Sequence, residues 1–285
     1  EGIAAYRQRL DSLSEHVDHS HILNCDETFW RCADQGLYTW APKGSDNIKI
    51  STATNEKDGF TALATISLDG NKLPLLFVAK GTTHQCEKSQ FGFSNPIPNF
   101  EIPVAEEGVE IIQEDDESEE TEDDPSSFYT VFSKSGWVTK EIWSDYLRFI
   151  RNQIPYIENT DPKDEVNRIY LVCDAYPVHH SDISKELAAQ LNIELIPVPK
   201  GATDECQPLD RRIFGALKIR GRAELNKRIN EEVLRAFLAN EIPEIPRFTK
   251  KEAASILMTL WNELTEYQII DAWNMAIFID DNLTK

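Results

Sequence analysis

Residues 167–199 restrict the fold more than any other stretch: NRIYLVCDAY, a short connection, SDISKELAAQLN and then IELIPVP. Residues 167–176 are an apolar run of strand length. Residues 181–192 have helical spacing with Ser181 or Asp182 at the N-cap position, and 193–199 form a second short apolar run. A strand, a helix of about three turns and another strand make a βαβ unit, whose two strands lie parallel. A chain containing this unit is committed to an α/β sheet with helices against its faces.

The upstream half supplies strands of another kind. HILNCDE (21–27), GLYTWAP (36–42), FTALATISLDG (60–70) and KLPLLFVAKG (72–81) read as short strands, the last two joined by Asp69-Gly70-Asn71, a hairpin turn sequence. They predict an antiparallel meander that begins the sheet. Ahead of them, Ile3, Tyr6, Leu10 and Leu13 give residues 1–15 a weak helical pattern, a lead-in helix.

Helices are expected over 136–154, with Thr139 as N-cap and Ile142, Tyr146, Phe149 and Ile150 on one face, and from Pro208 to about Asn240. In the latter, Phe214, Leu217, Gly221, Leu225 and Ile229 share a stripe. Asp210 projects toward the same stripe, and Arg211, Lys218 and Arg222 line one edge of it. A further helical region over 249–279 is rich in Ile, Leu and Trp. The expected organisation is a lead-in segment 1–19, an α/β domain 20–240 with a polar insertion near 101–127, and a C-terminal helical segment 241–285.

Composition narrows the function. No run approaches the ~20 apolar residues of a spanning helix, and the first residues lack the apolar core of a signal peptide, so no membrane role is expected. Five irregularly spaced cysteines (Cys25, Cys32, Cys86, Cys173, Cys206) argue against a disulfide framework and for a reducing, intracellular compartment. The chain starts without a methionine, which suggests a missing N-terminal part.

A net charge of −20 taken alone argues against a nucleic-acid partner. The charge is unevenly placed, however. Residues 114–124 (EDDESEETEDD) hold nine acidic groups in a tract expected to be a mobile surface loop, whereas 211–228 hold seven Lys or Arg against the single Glu224. That basic segment is either a solvated helix face or a phosphate-tracking surface. Its closeness to Asp210 favours the second.

Three aspartates stand out by position: Asp26 ends the first strand, Asp174 ends YLVCD, and Asp210 opens the long helix. A strand-end Asp is most often a turn or cap residue. In an α/β sheet, though, functional groups gather at strand carboxyl ends, and converging carboxylates raise one another's pKa unless cations neutralise them. Oxygen ligands with open positions suit Mg²⁺ or Mn²⁺. A zinc reading from His84 and Cys86 with Cys25 or Cys32 fails on spacing, and a Cys or Ser nucleophile assisted by His179 lacks an oxyanion motif.

These residues lie in motifs that resemble a known family. NCDETFW (24–30) resembles the N-x-D-E-T box, CDAYPVH (173–179) the D-x-x-x-x-H box and CQPLDRRIFGALK (206–218) the Q-P-L-D box of the DDE-type transposases. The similarity is to the pogo/Tigger group of mariner-like elements, with domesticated relatives such as centromere protein B and the jerky proteins, and covers about residues 20–280. It implies an RNase H-like fold, α/β with a mixed sheet flanked by helices, and two-metal phosphoryl transfer on DNA with two Mg²⁺ or Mn²⁺ ions. Asp26, Asp174 and Asp210 would be the metal-binding catalytic triad, Glu27, His179 and Gln207 supporting residues, and Arg211, Lys218 and Arg222 DNA contacts. Asp204 and Glu205 are rival third ligands; 35 residues lie between Asp174 and Asp210, an interval compatible with this group.

Implied partners are transposon ends and target DNA in the nucleus, with a homodimer open and no organic cofactor. Nothing in the chain resembles the helix-turn-helix domains of such proteins. Two departures stand out: Ala175 where relatives commonly have Asn, and KGATDEC (200–206) in place of an Asn/Thr-rich loop. The alternative reading is a catalytically silent, domesticated protein with an architectural role on DNA or chromatin.

Overall fold

A computed structural model describes residues 2–32, 58–98, 128–243 and 247–277. The strand expected at 36–42 and the acidic insertion at 101–127 lie outside the described residues.

Six strands form one mixed sheet: β1 (Ile22–Arg31), β2 (Gly59–Ser67), β3 (Leu75–Lys80), β4 (Phe128–Ser133), β5 (Ile169–Cys173) and β6 (Ile193–Pro197), in the spatial order β4-β3-β2-β1-β5-β6. β1, β2 and β3 make the antiparallel meander, turned at Asp69-Gly70-Asn71, where Gly70 takes φ 93° and the Asp69 side chain accepts from the Asn71 amide. β5 lies parallel to β1 and to β6, as the βαβ unit requires.

β4 is the strand that sequence reasoning missed. It pairs parallel with β3 along its whole length. Its aromatic and β-branched residues (FYTVFS) are strand formers, but they sit beside the low-complexity tract and carry no turn signal of their own. β1 also runs longer than expected, to Arg31, because it stays paired with β2 through Arg31 and Gly59. Asp26 is therefore inside a strand and not at its end.

Alternation of side chains divides the core in two. Leu23, Cys25, Leu63, Leu76, Val78, Leu171 and Cys173 face α3 (Lys140–Gln153) and α4 (Asp182–Gln190), which bury Trp143, Tyr146, Ile150 and Leu187 against them. On the other face, Ile22, Ala62, Ala64, Phe77, Val172 and Ile196 share a core with α1 (Ile3–His16), α2 (Gln85–Phe91), α5 (Thr203–Cys206), α6 (Phe214–Ala239), α7 (Lys250–Asn262) and α8 (Glu266–Ile277). Covered on both sides, β2 is buried throughout, which is why its sequence reads as a nearly continuous apolar run.

Thr139 caps α3 by accepting from the Ile142 amide, and Ser181 caps α4 by accepting from the Ser184 amide. α1 is no mere lead-in: Tyr6 and Leu10 are buried in the second core, and the Tyr6 hydroxyl donates to the Cys206 carbonyl at 3.1 Å. α6 crosses β1 at Gly221, where a Cβ would lie 2.7 Å from the Trp30 ring. A glycine is needed for that approach.

The C-terminal helical region is two helices. The second core is closed by α7, whose start is a full capping box between Thr249 and Glu252, joined by Arg228 of α6 at 2.8 Å. The Arg228 and Thr249 contacts hold the Glu252 carboxyl down at about 2. Because its folded pKa is depressed, Glu252 contributes stability above its unfolded value of about 4.3, and that contribution is lost as pH falls through about 2. Thermal unfolding of the parent and Glu252→Gln should thus differ at pH 6 by about 1 kcal/mol, and the two should converge near pH 2. A difference that persists at pH 2 would place the effect in something other than ionisation.

Candidate active site

The site forms where β5 stops and β1 continues. β1 and β5 pair from Ile22 and Tyr170 to Asn24 and Val172, so Asp174, just past the end of β5, emerges beside the stretch of β1 that carries Asp26. Asn24 and Asp26 share the face of β1 toward α6, while Cys25 and Glu27 take the opposite face, toward α3.

Asn24 is fully buried and joins three elements. Its Nδ2 donates to the Val172 carbonyl at 3.2 Å, and its Oδ1 accepts from the Leu209 amide at 3.1 Å. One side chain thereby fixes β1 two residues before Asp26, β5 two residues before Asp174, and the helical turn one residue before Asp210. Gln207, also fully buried, makes a long 3.5 Å contact to the Cys25 carbonyl, and its Oε1 lacks a partner.

The entry to the long helix departs from expectation. Leu209–Ile213 is a single π-helical turn, and α6 proper begins at Phe214. Leu209, Ile213, Phe214 and Leu217 are buried, but Asp210 is exposed and does not join their stripe. The wider turn breaks the 3.6-residue period on which the expected placement relied, and it leaves the Asp210 carboxyl beside that of Asp26.

Asp26 is 7% exposed; its Oδ1 accepts from the Glu27 amide at 2.8 Å, and its Oδ2 is buried with no donor. Burial first, and then the charges of Asp210, Glu27 and Asp174, push its pKa well up. Asp210 is raised too, because its carboxyl is partly desolvated where it faces the site, although the residue as a whole is exposed. Ionising both carboxyls together is therefore unfavourable in the metal-free site. Among the rivals, Asp204 is exposed and acts on Asp210 only through its charge, and Glu205 faces Arg7 at 4.0 Å.

Asp174 behaves oppositely. Burial opposes its ionisation, but hydrogen bonds from His179 Nδ1 at 2.7 Å and the Tyr176 amide at 3.1 Å outweigh burial and hold the carboxyl below its ordinary value. His179 is 1% exposed, and its Nε2 meets Glu27 Oε1 at 3.0 Å. Burial disfavours the charged ring, yet its two carboxylate partners raise it to about 10, and the Trp143 ring lies against it at 4.0 Å. Among the described residues, Glu27, Asp174 and His179 bring ligating atoms within 4.8 Å of one another. His180 turns away, to Cys173 Sγ and the Asp174 carbonyl.

The cations divide. Burial lowers the Lys218 pKa, while Asp210 and Asp26 oppose that and Arg31 and Arg222 reinforce it, so Lys218, Arg222 and Arg31 gather beside the carboxylates. Arg211 instead bends to the Glu205 carbonyl at 3.4 Å. Asn24, Arg31 and Trp143 escaped sequence reasoning. Only Asn24 carried a signal, as the Asn of the N-x-D-E-T box and a polar residue in an otherwise apolar run. His84 bonds to Glu87 and Cys86 to the Thr83 carbonyl, so neither is directed at Cys25 or Cys32.

Fold and site together define a class: an RNase H-like α/β sheet with acidic groups massed where its central parallel strands end. The profile of the DDE superfamily endonucleases matches residues 58–273, and the chain belongs to that family. The match spans Asp174 and Asp210 and begins beyond Asp26.

Over 291 aligned positions the chain is 21% identical to the pogo transposable element with KRAB domain of Mus musculus, covering 99% of this chain and 40% of that protein. A 97-residue segment is 34% identical to the MFS-type transporter clz9 of Cochliobolus lunatus, over 34% of this chain and 10% of that protein. The chain thus spans well under half the length of these relatives. Among solved structures, the Mos1 strand transfer complex superposes with a TM-score of 0.52 at 10% identity, covering 96% of this chain and 57% of that one. No described helix is long and apolar enough to cross a membrane.

Proposed function

We propose that this chain is the catalytic part of a transposase, a DNA endonuclease and strand transferase in which Asp26, Asp174 and Asp210 hold two Mg²⁺ or Mn²⁺ ions. The observation that carries the proposal is the Asp26–Asp210 pair. A buried carboxylate oxygen without a donor, facing another carboxyl, is costly in a protein without a cation and fits one that binds it. The metal ions, when bound, supply the activation of water or a DNA 3′-hydroxyl and the stabilisation of the leaving oxygen.

The chain's own residues do the rest. Asp174 stays ionised because His179 and the Tyr176 amide support its charge. Asp26 and Asp210 would face the ions from β1 and from the π-helical turn, and Lys218 would offer its charge to the scissile phosphate, with Arg222 and Arg31 behind it. Arg211, directed elsewhere, would meet DNA only farther along the backbone.

The pogo transposable element and Mos1 strand transfer likenesses support transposon ends and target DNA as substrates; nuclear action and a homodimer belong to the same reading. Residues 20–240 would form the catalytic unit, buttressed by 1–19 and 241–285. Three retained, mutually repelling acids favour this reading over a silent architectural protein.

The test is Mn²⁺-dependent nicking of supercoiled plasmid by the chain, with Asp174→Asn and Asp210→Asn alongside. Each substitution should cost at least about 10³-fold. Full activity in Asp210→Asn would move the third ligand to Asp204 or Glu205, and failure of the parent chain both to nick and to bind Mn²⁺ would overturn the enzyme reading.

A further inference from the structure

The Glu27–Asp174–His179 cluster has the makings of a metal site on distance alone. Its hydrogen bonds say otherwise. The Nδ1 of the ring meets Asp174 Oδ1 at 2.7 Å and its Nε2 meets Glu27 Oε1 at 3.0 Å, so both nitrogens are engaged by carboxylate oxygens and neither is turned toward an open position.

We infer that His179 is a positioning residue: it cross-braces Asp174 to Glu27, so that Asp174 presents one fixed oxygen to metal while Glu27 anchors the brace and ligates nothing. The inference rests on the metal-site reading above.

Three further observations support it. Both donors to Asp174, the His179 ring and the Tyr176 amide, reach the same oxygen, Oδ1, which leaves Oδ2 as the lobe for a cation. The ring is held in its plane by Trp143 at 4.0 Å on one side and by the edge of Tyr176 at 5.7 Å, and the His179 amide donates to the Tyr176 carbonyl, closing the 174–179 loop on itself. Glu27 points to the α3 face of β1, away from Asp26, so it cannot complete the Asp26–Asp210 pair without turning the strand over. Outer partners of this kind typically set metal affinity by fixing ligand direction.

The experiment is Mn²⁺ titration by calorimetry, with pulsed EPR of the bound ion, on the parent chain, Asp174→Asn, His179→Ala, His179→Asn and Glu27→Gln, each with its unfolding midpoint. Asp174→Asn should abolish binding. His179→Ala should weaken it about 10- to 100-fold, and His179→Asn, whose amide donates from near the Nδ1 position, should recover most of that loss. Glu27→Gln, whose oxygen still accepts from the ring, should cost no more than about threefold. The EPR spectrum should show no coordinated nitrogen.

A nitrogen on the ion, or a Glu27→Gln loss as deep as that of Asp174→Asn, would make the cluster a ligand set and overturn the inference. So would His179 variants that melt lower yet bind Mn²⁺ as tightly as the parent, which is the mark of a purely structural residue. A parent chain that binds no Mn²⁺ overturns the metal-site reading itself and the inference with it. In the other failures, binding by the parent and its loss in Asp174→Asn leave that reading standing.

Discussion

Asp26→Asn will make the metal-free protein more stable while removing Mn²⁺-dependent cleavage, the larger of its two effects being a loss of at least about 10³-fold in nicking rate. The stabilisation follows from the site's electrostatics. Asp26 is buried, its Oδ2 has no donor and its pKa is pushed up by burial and by Asp210. An Asn amide at the same place carries no charge and can donate to Asp210, which removes the repulsion; the expected gain is about 1–2 kcal/mol, or a few degrees in melting temperature.

The sign of the pH dependence is fixed. A carboxyl whose folded pKa lies above its unfolded value destabilises the fold increasingly as pH rises from about 4 toward the folded value. The advantage of Asp26→Asn should therefore be small at pH 4 and grow toward pH 8. Calorimetric scans of both proteins in chelator across that range measure it. A variant that melts below the parent at pH 8 would show that Asp26 is a satisfied structural carboxylate, and the case for a cation between Asp26 and Asp210 would fall with it.

Asn24→Ala should be the most damaging substitution in the site for folding. It leaves the Leu209 amide and the Val172 carbonyl buried without their side-chain partner, at about 1–3 kcal/mol for each orphan, so about 2–6 kcal/mol in all. It also frees all three elements that carry the aspartates, and cleavage should fall even at temperatures where the variant is fully folded. Asn24→Asp gives a finer test: it keeps the acceptor for Leu209 but loses the donor to Val172 and adds a charge beside Asp26. Urea unfolding should show a lower midpoint with an unchanged slope for Asn24→Ala. A loss under about 1 kcal/mol would mean that water or rearrangement replaces both bonds.

The supporting residues set a division of labour among the carboxylates. His179 holds the Asp174 carboxyl below its ordinary range, whereas Asp26 and Asp210 are pushed above theirs. Were cations to bind as proposed, their charge would offset the repulsion that raises Asp26 and Asp210.

What the sequence by itself determined is what short-range physics determines. Period-2 and period-3.6 patterns placed β5, α4, β6 and α3, the Asp69-Gly70-Asn71 turn fixed the β2–β3 hairpin, and Thr139 and Ser181 marked helix starts, because each signal acts within a few residues. Asp26, Asp174 and Asp210 were visible through the motifs around them. Tertiary structure alone decided how they meet. β4 became an edge strand through its pairing with β3, which no local pattern encodes. Asp210 left the buried stripe because the helix opens with a π turn, which breaks the regular period. Asn24 reaches partners 148 and 185 residues away, and His179 reaches Glu27 across 152. Such contacts leave no periodic trace in a sequence, because sheet register and helix packing bring them together only once the chain has folded.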